Sequence, residues 1–165
     1  MAREIEHQKE FHVTPGQMVS ILTDPALLDR QHRLQGATAV DTHSRREGAE
    51  LILEVGLQEP RRTLRGVNRN RSDPARTVYR WNLEQQTCVW RYRGTWGERV
   101  RIEGSIRVLP ADGGCRVDTD IRVEVSVPVI GSMIEKRIAN EIQQSFDPFQ
   151  ELLNEFCRMP LDVAE

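Results

Sequence analysis

Aromatic residues are scarce, 5% of 165 positions, and lysine is nearly missing, with Lys9 and Lys136 the only two among 23 basic side chains. Cysteine is limited to Cys88, Cys115 and Cys157, an odd number, widely spaced and without a CxxC pair, which argues against a disulfide framework. No apolar run approaches the ~20 residues that a bilayer-spanning helix needs. The amino terminus, Met1-Ala2-Arg3-Glu4-Ile5-Glu6-His7, has no apolar signal-peptide core behind its single positive charge, so a cytoplasmic protein is expected. A like-charged, weakly hydrophobic background is also missing, which excludes wholesale disorder: the formal net charge is -2, and the 38% hydrophobic residues recur in periodic runs. The length suits a single domain, 1–165, whose one core buries roughly 70% of the unfolded surface. The preference for arginine over lysine points to a GC-rich bacterial genome, because most arginine codons begin with CG. That bears on source and not on function.

The chain opens on an extended segment that sets Ile5, Phe11 and Val13 against charged neighbours. Thr14-Pro15-Gly16-Gln17 combines an N-cap threonine, a proline at the first helical position and the glutamine of a capping box, and so predicts a short helix. Asp24-Pro25 predicts a second, ending near Gly36. From Ala39 the period falls to two. A hairpin turning near Gly48 brings in Leu51, Leu53, Val55 and Leu57. Segment 61–76, with six arginines and a closing Ser72-Asp73-Pro74, reads as a short strand plus a loop. Two aromatic-faced strands carry Tyr79, Trp81, Trp90, Tyr92 and Trp96. Val100, Ile102, Ile106 and Val108 then alternate with arginines up to a turn at Pro110-Ala111-Asp112-Gly113-Gly114, answered by Val117, Thr119, Ile121, Val123 and Val125. The last segment, about 132–157, advances its apolar residues Ile134, Ile138, Ile142, Phe146, Phe149, Leu153 and Phe156 by three or four, a helix fit to cover the sheet. Asp147-Pro148 predicts a kink or restart in it.

This order of elements, together with Ile5-Glu6-His7-Gln8-Lys9-Glu10-Phe11, Thr14-Pro15-Gly16-Gln17, Leu22-Thr23-Asp24-Pro25 and Val125-Ser126-Val127-Pro128-Val129-Ile130-Gly131, resembles the START-like or SRPBCC superfamily of helix-grip domains. Birch-allergen-like proteins and polyketide cyclases belong to it, and the turn before the last helix is most similar to that of an uncharacterised bacterial branch. The likeness spans nearly the whole chain. It implies an α+β helix-grip fold, a curved antiparallel sheet of about six or seven strands wrapped around a long C-terminal helix, with two short helices after the first strand. It also implies an internal cavity for an apolar ligand of the lipid, sterol-like, polyketide or isoprenoid class.

Candidate residues for such a cavity are Tyr79, Trp81, Trp90, Tyr92, Trp96, Ile106, Ile121 and Val123 on the strands and Met133, Ile138, Ile142 and Phe146 on the helix. Ordinary core packing accounts equally well for each. His7 and His12 are five apart, on opposite faces of a strand, and neither they nor His32 and His43 belong to an HExxH or Cys/His cluster, so no metal is expected. No cofactor is expected either. There is no GxSxG elbow and no cysteine signature, and the cysteines are expected to pack. By alternation, His7, Lys9, Tyr79, Tyr92 and Thr119 point inward, with His7 and Tyr92 the acid–base candidates if the cavity is catalytic.

Between positions 61 and 107 twelve arginines face four acids, leaving -10 for the rest of the chain. Read as a stripe, they would dock an anionic membrane or RNA; read as a solvated sheet face, they pair across strands with Glu103, Asp118, Asp120 and Glu124. The sequence pI of 6.1 favours the second reading and disfavours nucleic acid. Oligomeric state is left open. The leading expectation is a carrier or sensor of a hydrophobic small molecule, gated by the helices after Asp24, the arginine-rich loop and the break at Pro148. A cyclase-like enzyme is the alternative.

Overall fold

Seven strands pair antiparallel in the order β1-β7-β6-β5-β4-β3-β2, in a computed structural model that describes residues 2–63 and 66–159. Met1 and Arg65, used in the sequence reading, lie outside those residues. Strand β1 (Arg3–Phe11) is followed by helices α1 (Pro15–Leu22) and α2 (Pro25–Leu34). Strands β2 (Ala39–Glu47), β3 (Glu50–Thr63), β4 (Gly66–Asn82), β5 (Thr87–Arg93), β6 (Val100–Ala111) and β7 (Gly114–Val125) follow, and helix α3 (Gly131–Arg158) closes the chain. The fold is α+β of the helix-grip type.

Helix starts follow the cap chemistry. The Thr14 side chain accepts from Gln17 N at 3.2 Å while the Gln17 side chain accepts from Thr14 N at 2.9 Å, a complete capping box. Asp24 caps α2 through Ala26 N at 2.9 Å. Helix α2 ends before Gly36, whose φ of +109° costs a glycine little. In the sheet, cross-strand partners line up in rows on one face. One row runs Ile5, Ile121, Gly104, Trp90, Tyr79, Leu53; the next runs His7, Thr119, Ile106, Cys88, Trp81, Leu51. This is the face that α3 covers. Two buried clusters result: the carboxy-terminal half of α3 (Leu152, Leu153, Phe156) packs with α1, α2 and the β3–β5 side, and its amino-terminal half (Ile134, Ala139) packs with Ile5, Val123 and Val125.

Three sequence expectations need correction. The described residues of segment 61–76 are all strand, 61–63 in β3 and 66–76 in β4, rather than a short strand plus a loop; Ser72 pairs with Pro60 and Pro74 with Gln58. Proline is tolerated there because β4 meets β5 only from Arg76 onward, so Pro74 has a strand neighbour on one side alone. Helix α3 runs through Pro148 without restarting, over ~42 Å at 1.5 Å per residue. Trp96 is in the β5–β6 connection, just before a 3-10 turn at Gly97–Arg99, and not on a strand. Residues 66–76 are therefore strand and α3 is continuous through Pro148, where a loop and a helix break were expected to form a gate.

Candidate functional site

Between the concave sheet face and α3 the interior is not filled. A cavity of about 590 Å3 remains, and its wall includes Tyr79, Trp81, Trp90, Tyr92, Trp96, Ile106, Ile121, Ile138, Ile142 and Phe146. Two sequence candidates are not on that wall. Val123 is completely buried under the first turns of α3, among Ile134 and Ala139, where helix and β7 touch and leave no space. Met133 is 53% exposed, because it sits one residue, about 100°, from the stripe position Ile134 and so points outward. Gly104 explains the placement of one large ring. It takes the inward position between Ile102 and Ile106, and a Cβ there would lie 2.6 Å from the Trp90 indole, which fills the vacated space.

His7 and Lys9 reach the wall from β1, as alternation predicted, with Thr119 opposite His7. The His7 imidazole stacks on Phe146, centroids 4.3 Å apart. Burial, then Lys9, lowers its pKa, against the opposing pull of Asp147. His12 and His43 are exposed, the latter 2.9 Å from Asp41, and no cluster of three potential metal ligands forms among the described residues. Cys88 and Cys115 pack in the core, and burial raises their thiols to about 12 and about 11, out of reach of a neutral-pH thiolate.

Sequence reading did not place His32, Glu59, Arg62 or Glu141 on the wall. His32, on α2, is buried at helical spacing from Leu28, and its Nε2 shares a 3.1 Å hydrogen bond with the Tyr79 hydroxyl. Glu59 continues the inward parity of Leu53, Val55 and Leu57, and accepts a hydrogen bond from the Tyr92 hydroxyl. Arg62, from the same strand, donates to Glu141 of α3. Desolvation raises the Glu59 pKa more than Tyr92 and Arg62 lower it, and burial holds the Tyr92 hydroxyl protonated.

His32 carries a pH prediction. Burial lowers its pKa from 6.5 to about 4. Below pH 6.5 the unfolded chain takes up a proton that the folded protein refuses, so stability falls as pH drops from 6.5 to 4. The loss totals roughly 3 kcal/mol at about 1.4 kcal/mol per unit. Urea midpoints measured across that range should fall more steeply for the wild type than for His32→Gln, and parallel curves would remove His32 as the cause.

Several arginines of the outer face are paired across strands: Arg76 with Glu54 at 3.0 Å, Arg80 with Glu50 at 3.1 Å, Arg91 with Glu103 at 3.2 Å and Arg107 with Asp118 at 3.5 Å. Arg61 pairs with Asp73 at 2.8 Å. At these pairs the charges neutralise one another across strands.

Residues 6–157 match the model of a family described as Protein of unknown function (DUF2505). The chain belongs to this family. No curated protein matches the DUF2505 chain in sequence. Among solved structures it is similar to TTHA0849 from Thermus thermophilus, with 18% identity, 94% of this chain and 97% of that chain covered, and a TM-score of 0.67. It is also similar to the Zhui aromatase/cyclase from Streptomyces sp. R1128, at 12% identity, 99% of each chain and TM-score 0.64. A START superfamily protein from Mycobacterium smegmatis aligns at 16% identity over 92% of this chain and 97% of that chain, with TM-score 0.60. At such identities the likeness concerns the fold, and the START-like helix-grip fold is what this DUF2505 chain shares with them.

Proposed function

We propose that this chain holds a hydrophobic small molecule, of the lipid, sterol-like, polyketide or isoprenoid class, in the cavity between sheet and α3, as a carrier or sensor. The observation that carries the reading is the cavity itself. Protein interiors are close-packed, with few voids larger than a water molecule, whereas about 590 Å3 is left open here behind rings and aliphatic side chains. That is within the range of small-molecule sites. Leu34 and Val67, 58% and 49% exposed, are also on the wall, which gives the cavity an apolar mouth between the end of α2 and the β3–β4 hairpin.

Native mass spectrometry of protein from its own host, followed by denaturing extraction, tests the proposal. A stoichiometric apolar compound is the expected result. All three tryptophans, Trp81, Trp90 and Trp96, are on the wall, so titration with apolar probes should quench or shift their emission. A bare mass together with unchanged emission would refute the carrier reading.

A cyclase-like enzyme is the second reading, favoured by the Tyr92–Glu59 hydrogen bond on the cavity wall. In that case His7, its pKa lowered, serves as the neutral base, and Tyr92, held protonated, orients the Glu59 carboxyl.

A further inference from the structure

We propose that the cavity selects apolar ligands whose polar end is an uncharged hydroxyl, and that Glu59 is the residue that recognises it. The proposal rests on the cavity being a ligand site. One end of that cavity is polar, built by Glu59 and Arg62 of β3, Tyr92 of β5 and Glu141 of α3. The Tyr92 hydroxyl spends its single proton on Glu59 Oε1. Arg62 Nη1 donates to Glu141 Oε2, so its charge already has a counterpart. Beyond these pairings Glu59 keeps one oxygen that can accept, and Arg62 keeps further N–H groups. The second oxygen of Glu59 has no hydrogen-bond partner among the described residues, although the side chain is partly buried. An ionised carboxylate only accepts, so its complement is a donor.

The position of the Glu59 carboxylate disfavours a second class of head group. A carboxylate or phosphate set against the unshared oxygen would meet Glu59 at hydrogen-bond range with Glu141 beside it, while Arg62 is paired to Glu141 and Arg137 is the second guanidinium on the wall. Desolvation, the largest influence on Glu59, pushes its pKa up, as expected for a carboxylate short of partners. The backbone is shaped around the tyrosine arm: a Cβ at Gly94 would lie 2.8 Å from Tyr92 Cζ and within contact of its hydroxyl. Tyr92 and Glu59 are thus held in one arrangement, with the unshared oxygen left for a ligand.

Pyrene, 1-hydroxypyrene and pyrene-1-carboxylate present one ring system with no head group, a hydroxyl or an anion, and each can be titrated by tryptophan quenching. On the wild type, 1-hydroxypyrene should bind about tenfold tighter than pyrene, the usual gain for a hydrogen bond to a charged group, and the carboxylate weakest. Glu59→Gln turns the unshared oxygen into an amide donor and removes a negative charge. It should cut the hydroxyl advantage to less than about threefold and strengthen the carboxylate by about tenfold. Tyr92→Phe leaves Glu59 in place and should keep the hydroxyl advantage.

Equal binding of all three probes to the wild type would leave the cavity reading standing and overturn this one. So would a carboxylate that binds as tightly as the hydroxyl, which would move the head group toward His7 and Lys9, or a hydroxyl advantage that survives Glu59→Gln. Binding of none of the three would overturn both. The wild-type comparison decides even if a variant fails to fold.

Discussion

Replacing Gly114 by alanine is expected to cost roughly 3 kcal/mol and to lower the melting temperature by roughly 10 °C, one of the largest effects of any single methyl group in this chain. Gly114 opens β7 at the corner where β1 ends, and a Cβ there would lie 2.9 Å from the Phe11 carbonyl carbon and well inside contact with its oxygen. Backbone, not a flexible side chain, is in the way. Relief requires β1 to move off β7 at the Phe11–Cys115 pair, and both residues are buried in the main core. Just beyond, Thr14 caps α1, so the displacement would also pull on a helix start. Gly16→Ala is the control: nothing lies within 4 Å of its Cβ, and a first-turn alanine should be neutral or stabilising by about 0.5 kcal/mol. Thermal and urea unfolding of the pair decide the matter. A Gly114→Ala protein that melts with the wild type would mean that the two backbones do not approach so closely.

Local chemistry made most of the fold legible in the sequence. The threonine and aspartate caps fixed both short helices, two-residue alternation fixed the wet and dry faces of β6 and β7, and the i, i+4 stripe from Ile134 to Phe156 gave α3 to within a residue at each end. What failed depended on neighbours. Ser72-Asp73-Pro74 has every local mark of a turn, and it is extended because β3 pairs with it and β5 does not reach that far. Val123 and Tyr92 have the same inward parity, yet one is sealed by α3 and the other lines a cavity, a difference set by how closely the helix approaches each strand.

The polar end of the cavity shows the same limit. Glu59 was within reach, since the alternation through Leu57 points it inward. Arg62 was not: an irregularity between Pro60 and Arg61 shifts the register, so Arg61 turns to Asp73 and Arg62 to Glu141. Alternation carries no sign of where such a shift falls.

The cavity makes a second prediction of large effect, in which stability and binding move in opposite directions. Thr119, on β7, and Ile138, on α3, face the open space from its sheet wall and its helix wall. Replacing both by tryptophan extends two indoles into a void rather than into packed neighbours. The usual penalty for overpacking should therefore be absent, and filling the void should stabilise the fold by about 1 kcal/mol. The same rings occupy the volume a ligand would need. Affinity for apolar probes should fall by roughly 100-fold, about 2.7 kcal/mol of lost binding free energy. Differential scanning calorimetry and probe titration on the double variant give both readings. A protein at least as stable as the wild type that no longer binds is the outcome the cavity requires. If it binds unchanged, the ligand sits elsewhere; if it unfolds, the space between sheet and helix is already packed, and the basis for a hydrophobic carrier is lost.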